Sequence, residues 1–395
     1  MRQPTPGVAS PVRWTDCLQT SRPEQPPLIG LVRGEGVGPE VIAAALEVLN
    51  AITDSDTLTI EACEDVEVGK RAEKKIGRAL PDAVINFCEG IFARGGAILH
   101  GPAGGRFVYD LRRQFDLFFK ISPLQWTYQV QAFLPRSEGG RKLDLLIARE
   151  NSGGIYQGSW QDEDDAPGNR LARHNFTYTE DQVRRFIQAA ARLAKERSGD
   201  LTVVWKESGI PSISRLWQAC ADDAAKQHGI QYRMVDIDLM AYRLIREPQI
   251  FDVIAAPNLF GDILADLGAA LLGSRGASFS GNYDEAGNAV YQTNHGAAFD
   301  LADTDRANPA GQIFSLAMLL RESLGLHREA AIMEEAVRSV WTEGWRTDDV
   351  AMPGTPTIGT KEMASRVAQR AREIVEMRDK SAGESIGNEA AARPS

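Results

Sequence analysis

The sequence predicts an α/β protein built on a largely parallel sheet, and three observations carry that prediction. Short apolar runs of strand length alternate with amphipathic stretches of helical period. The first such pair, "LIGLVRGEGVGPEVIAAALEVL" over residues 28 to 49, reads as a strand, a glycine turn and a helix. The 395 residues are 43% hydrophobic and 25% charged, a balance that suits a globular chain of two or three domains with a sizeable core.

Residues 1–26, rich in Pro, Ser and Gln, show no apolar period, so the sequence predicts disorder there and in the tail 378–395. "PPLIGLVRG" is a strand and "PEVIAAALEVLNAI" a helix whose Pro39 suits a first turn. "LDLLIARE", "LTVVWKE", "QYRMVDID" and "FDVIAAPN" are further strands. "TEDQVRRFIQAAARLAKER" has helical spacing and a Thr at its N-cap. "NPAGQIFSLAMLLRESLG" is apolar enough to be a mostly buried helix. No repeat of solenoid period is present.

A net charge of −10 offers no basic field for nucleic acid or an anionic membrane. No apolar run approaches the roughly 20 residues of a membrane helix, and the opening residues lack the apolar segment of a secretion signal. Cys17, Cys63, Cys88 and Cys220 are scattered without metal-ligand spacing. The expectation is a reduced, cytoplasmic protein.

Gly34, Gly36 and Gly38 spell G-x-G-x-G, not the G-x-G-x-x-G of a dinucleotide cradle, and Glu61 or Asp65 meets only loosely the need for an acidic residue further on. The competing reading is a tight turn whose glycines permit positive φ and close packing. A denser signal is "PNLFGDILADLGAALLGSRG". Asp262 and Asp266, four residues apart, lie on one helix face, and such a pair suits a hard cation, Mg²⁺ or Mn²⁺. Alternatively Asp262 caps the helix and Asp266 is solvated. In "NHGAAFDLADTDRANPAGQ", Asp300 sits among small residues. There it could accept both ribose hydroxyls of an adenosine and repel a 2′-phosphate, or be a turn aspartate of a surface loop.

Taken in order, "GEGVGPEV", "LRRQFDL", "ARENSGGIYQG", "VVWK", "PNLFGDILAD" and "NHGAAFDLAD…ANP" resemble the β-decarboxylating dehydrogenases. These are the isocitrate, 3-isopropylmalate, homoisocitrate and tartrate/D-malate dehydrogenases, and the likeness runs from residue 28 to 375. It implies NAD-dependent, divalent-metal-dependent oxidative decarboxylation of a 3-substituted malate. It implies metal ligands Asp262 and Asp266, with Asp238 from a partner subunit. Lys206, also from the partner, matches the base that accepts the hydroxyl proton, which requires a lowered pKa, and Tyr156 matches the tyrosine that returns a proton to the enol carbon. Arg112 and Arg149 match two of three carboxylate-binding arginines. His295, Gly296, Asp300 and Asn308 match the adenosine pocket, with Asp300 marking NAD. The glycine turn then belongs near the nicotinamide end and serves close approach.

Departures from the pattern imply an altered substrate. Ser122 stands where the family's middle arginine belongs, and Lys120, on the same face if this is a strand, would restore part of the charge. Glu35, Gln292, Ser208 and Phe299 also depart from family residues, and a shortened segment leaves Val108 and Tyr109 near the substituent pocket. An alternative is a hydroxy-acid dehydrogenase that does not decarboxylate. Another is a non-catalytic regulatory subunit, against which the retained Lys206, Tyr156, Asp238, Asp262 and Asp266 speak. The implied architecture is two α/β domains sharing a twisted sheet around an interdomain cleft. Residues 27–127 plus 273–377 would form the first domain and 128–272 the central one, in a homodimer with shared active sites.

Overall fold

The computed structural model describes residues 13–18, 27–53, 58–125, 143–166, 169–351, 354 and 356–391. Its strands are β1 (Leu28–Val32), β2 (Thr59–Ala62), β3 (Ala97–His100), β4 (Phe119–Gln125), β5 (Asp144–Glu150), β6 (Ser159–Ala166), β7 (Asn169–Asn175), β8 (Asp200–Trp205), β9 (Gln231–Asp236), β10 (Val253–Ala256), β11 (Phe279–Tyr283) and β12 (Ala289–Thr293). Its helices are α1 (Gly38–Asn50), α2 (Gly69–Ile76), α3 (Asp82–Ala93), α4 (Phe107–Gln114), α5 (Glu180–Lys195), α6 (Pro211–His228), α7 (Ile237–Arg246), α8 (Asn258–Leu271), α9 (Ala310–Glu322), α10 (His327–Thr342) and α11 (Thr360–Ala391). All of the strands and helices read from the apolar periods are present. The Thr179 cap of α5 closes a full capping box, with Gln182 reaching back to the cap amide. Helix α9 is buried almost all round, as its composition predicts.

Ten strands form one mixed sheet in the order β2-β1-β3-β12-β11-β4-β5-β10-β8-β9. Six of its nine strand pairs are parallel, in keeping with the expectation of a largely parallel sheet, and only the centre, β12-β11-β4-β5, is antiparallel. The cause is local in part. A tight turn through Gly287 (φ 84°) joins β11 to β12, and so short a connection allows only an antiparallel pair. Helices α1, α9, α10 and α11 pack together over one flank, and α5 and α6 over the other. Between them lie strands buried on both faces. Trp217 of α6 is wholly buried against Tyr178 and Phe186.

Two terminal expectations are corrected where the described residues reach; the parts of them at 1–12, 19–26 and 392–395 lie outside those residues. Residues 14–18, read as disordered, form a short 3₁₀ turn with Cys17 and Leu18 buried. Thr15 donates its amide to Glu322 of α9 (3.2 Å), Arg321 stacks over Trp14 (4.7 Å), and Arg192 of α5 donates to the Cys17 carbonyl (2.5 Å). At the other end, α11 continues to Ala391, past the start of the tail at 378. Strands β6 and β7 form a separate two-stranded ribbon, with the exposed Trp160 stacked on His174 (5.8 Å). Among the described residues, no helix is long and apolar enough to cross a membrane.

The glycine turn of the opening motif works by close approach. Gly34 and Gly36 both have positive φ (76° and 61°). A Cβ on Gly34 would lie 2.2 Å from the Pro102 carbonyl, and one on Gly36 would lie 2.0 Å from that of Ala297. The backbone turn is thereby pressed between two loops. The Val37 amide donates to the Ala297 carbonyl (2.8 Å) and the Glu35 amide to that of Pro102 (2.8 Å). The buried Glu35 carboxylate accepts the amides of Lys70 (2.8 Å), Arg71 (3.2 Å) and Gly104 (2.7 Å). It therefore closes the N-terminus of α2, where an anion is favoured, and pins the Gly104 loop.

Candidate active site

Strand β10 ends at Ala256 and α8 begins just past Pro257, so Asn258 lies in its first turn and Asp262 one turn further in. Asp262 is therefore inside the helix and does not cap it. Asn258 is a fully engaged hub. Its amide oxygen accepts two bonds from Arg149 (3.0 and 2.8 Å), its amide nitrogen donates to the carbonyl of Gly153 (2.7 Å), and its backbone N–H donates to the Tyr178 hydroxyl (3.0 Å). Arg149 also pairs with Asp262. Burial pushes the Asp262 carboxyl up, but the cations of Arg149, Lys120 and Arg112 outweigh it and hold the group below its ordinary value.

A cavity of about 200 Å³ opens over this helix face, and both Asp262 and Asp266 line it. Asp266 is half-exposed and pairs with Arg275 (3.1 Å). Val108, Tyr109 and Arg112 enter from α4, whose apolar Phe107 and Leu111 anchor it in the core. Arg112 is buried, its Nε finds no partner among the described residues, and Tyr109 lies 5.8 Å beneath its guanidinium. Lys120 of β4 also reaches the cavity, buried directly across from Arg149 on β5. Like charges placed opposite each other repel. Burial first, then Arg112 and Arg149, drive the Lys120 ammonium far below its ordinary value. This corner therefore gathers three basic side chains, and an anion bound there would favour the charged form of Lys120.

The remaining expected residues distribute as follows. Tyr156 sits in a 3₁₀ turn with its ring 5.1 Å from that of Tyr109 and 5.6 Å from the Arg149 guanidinium. Burial and the nearby Asp262 raise its phenol, so it stays a proton carrier at neutral pH. His295 and Gly296 line the far side of the cavity, and His295 Nδ1 lies 3.0 Å from the Gly296 carbonyl. Asp300 is exposed in the turn that follows. Asn308 is buried and spent internally, accepting from the Ala310 amide (3.0 Å) and donating to Asp349 (3.0 Å).

Three placements differ from the simplest expectation. Arg149 is not a free clamp: it is 1% exposed, consumed by Asn258 and Asp262, and does not line the cavity among the described residues. Ser122 does not line it either, and its hydroxyl approaches Asn294 (3.4 Å). Lys206 and Asp238 lie away from their own chain's cavity, beside each other. The Lys206 ammonium meets Asp238 at 2.7 Å and Asp236 at 3.2 Å, and Asp238 first, then Asp236, raise its pKa. Among the described residues no three His, Cys, Asp or Glu side chains of one chain gather as a metal site.

Sequence reasoning missed several residues of this site. Glu35 registered only as a departure from a pattern. Asp349, which accepts from Asn308 and Thr347 (2.6 Å), and His100, which lines the cavity, were passed over. For His100 a signal existed, since a histidine closing the apolar run "AILH" is a polar group at a buried strand end.

Comparison with known proteins gives concordant findings. The isocitrate/isopropylmalate dehydrogenase family model matches residues 28–367. The chain is 34% identical to the 3-isopropylmalate dehydrogenase of Burkholderia multivorans, over 86% of this chain and 98% of that protein. It is 33% identical to the protein of the same name from Desulfitobacterium hafniense, over 86% and 99%. Among solved structures, the isocitrate dehydrogenase of Methylococcus capsulatus superposes with a TM-score of 0.78 at 28% identity, covering 88% of this chain and 99% of that one.

Proposed function

The chain belongs to the isocitrate/isopropylmalate dehydrogenase family, and from that premise we propose that it oxidises a 3-substituted malate with NAD and releases the β-carboxylate as CO₂, aided by Mg²⁺ or Mn²⁺. The observation that carries this reading is the meeting, in one cavity, of the Asp262–Asp266 pair with the buried basic residues Arg112 and Lys120. The carboxylates would hold the divalent ion, whose contribution when bound is to polarise the C2 oxygen. The donor set fits: two hard oxygen ligands one helical turn apart, with room for substrate oxygens and a third protein ligand from a second copy.

The chain's own groups have separable tasks. Arg112 and Lys120 seat the substrate carboxylates, Lys120 standing in for the arginine that Ser122 replaces. A bound nicotinamide would supply the hydride acceptor for the C2 hydrogen, and the hydroxyl proton passes to Lys206 of a second subunit. Loss of CO₂ leaves an enol, and Tyr156 delivers the proton that its carbon takes up. Asp300 accepts the adenosine ribose hydroxyls and disfavours a 2′-phosphate.

Three features support assembly with a second copy as a homodimer. Lys206 and Asp238 are only 2.7 Å apart, so a neighbouring subunit would deliver base and third carboxylate as one unit. Once Asp238 turned to a cation, Lys206 would lose its strongest acceptor, its pKa would fall, and more of it would be the free amine able to take up a proton. Exposed Leu239 and Tyr242 on α7 and Ile263 on α8 flank this region, and the ribbon β6–β7 is marginal without a partner surface. We place the enzyme in the cytoplasm on the same reading.

The test is a panel of isocitrate, 3-isopropylmalate, D-malate and tartrate with NAD and Mn²⁺, following NADH and CO₂ together. Equal release of the two from at least one substrate supports the proposal, and no turnover of any overturns it. NADH without CO₂ would favour a non-decarboxylating hydroxy-acid dehydrogenase, a reading that the replacement of an arginine by Ser122 motivates.

A further inference from the structure

We propose that His100 is a specificity-determining residue, whose free ring nitrogens select a malate carrying a hydrogen-bonding oxygen on its C3 substituent over one carrying an alkyl group. This rests on the reading of the cavity as a malate site and goes beyond it, since of the proteins described above two are named for 3-isopropylmalate and one for isocitrate, which leaves the C3 substituent open.

His100 is the last residue of β3 and is 1% exposed. Its ring is fixed by parallel stacking on Phe107, with centroids 4.7 Å apart and planes 9° from parallel. Its backbone carbonyl accepts from Gln312 (3.3 Å), but neither ring nitrogen has a partner among the described residues. His100 is also one of the residues lining the cavity, with Val108, Tyr109, Arg112 and Lys120. Buried polar atoms left unmet are rare and call for an explanation, and a ligand supplies it. The ring is neutral, because burial and then the adjacent Arg112 depress it to about 3. A neutral imidazole offers one N–H and one lone pair. A hydroxyl satisfies either, a carboxylate takes the N–H with help from Arg112 and Lys120, and an alkyl group meets neither. Sites built to hydrogen-bond a substrate reject the analogue that lacks the group far more strongly than apolar pockets reject an added one.

The test compares kcat/KM on 3-isopropylmalate, tartrate and isocitrate for the wild type, His100→Leu and His100→Asn. Tartrate and isocitrate separate a hydroxyl from a carboxylate-bearing substituent. The wild type should favour an oxygen-bearing substrate by about tenfold or more. His100→Leu should move the ratio toward 3-isopropylmalate by about tenfold, chiefly through KM, and His100→Asn should restore part of the wild-type ratio. Should the leucine variant not fold, His100→Met carries the same readout. A wild type that prefers 3-isopropylmalate, or a ratio that the folded apolar variant leaves unchanged, overturns this inference alone. Failure of every substrate with the wild type overturns the malate reading and this inference with it.

Discussion

Replacing Glu35 by alanine tests whether the glycine turn is held by its own side chain. The carboxylate is 1% exposed and accepts three backbone amides, from Lys70 (2.8 Å), Arg71 (3.2 Å) and Gly104 (2.7 Å). A hydrogen bond to a charged group contributes roughly 1.5–3 kcal/mol, and leaving its buried partner unmet forfeits that amount. The three share one acceptor and do not add fully, so Glu35→Ala should cost about 3–5 kcal/mol. Glu35→Gln keeps Oε1, which serves Lys70 and Gly104, and loses only the longest bond, to Arg71. It should cost about 1–2 kcal/mol. Urea unfolding read from midpoint and slope gives both numbers. Amide exchange at residues 70, 71 and 104 should quicken in the alanine variant before distant amides respond. An alanine variant within about 1 kcal/mol of wild type, or a glutamine variant as damaged as alanine, would refute the reasoning.

Other outcomes follow from the same geometry. Lys120→Met should raise KM for the preferred malate about 10- to 100-fold with little change in kcat, since one charge-assisted contact is lost; an unchanged KM in steady-state kinetics would remove Lys120 from the substrate seat. Asp300→Ser should shrink the preference for NAD over NADP by about tenfold or more, as a like charge no longer faces the 2′-phosphate, measured as the ratio of kcat/KM for the two cofactors. Because His100 falls from 6.5 to about 3 on folding, the unfolded chain takes up a proton that the folded chain refuses at any pH between those values. The His100 contribution to wild-type stability is unchanged above about pH 6.5 and declines below it by about 1.4 kcal/mol per unit. The difference between wild type and His100→Leu in urea unfolding should therefore shift against the wild type by about 2 kcal/mol from pH 7 to pH 5, and a constant difference would mean that the ring charges freely.

What the sequence discloses is whatever depends on neighbours along the chain. The strand at "LDLLIARE" and the capped helix at Thr179 are written in local apolar spacing and one hydroxyl. The pairing of Asp262 with Asp266 on one helix face needs only the helical repeat. Lys120 was legible too, through the two-residue period of a strand. Long-range partners were not. Nothing near Arg149 tells that Asn258, over a hundred residues later, consumes its guanidinium, and nothing near Glu35 points to the amides of 70, 71 and 104. The ribbon β6–β7 escaped because "SWQDEDDA" lacks the apolar alternation by which half-buried strands are recognised. The antiparallel centre of the sheet escaped because strand direction is fixed by connections, not by composition.

The short turn at residues 14–18 grips α9 through Glu322 and Arg321 and α5 through Arg192, and those helices cover opposite flanks of the ten-stranded sheet. Five residues thus act as a rivet across the molecule's back. Any rotation of one flank against the other must shear this fastening or carry it along, so the mobility left to the enzyme is set partly by a stretch that lies outside the family's shared length. Relatives lacking such a fastening would be expected to flex more freely about the same central strands.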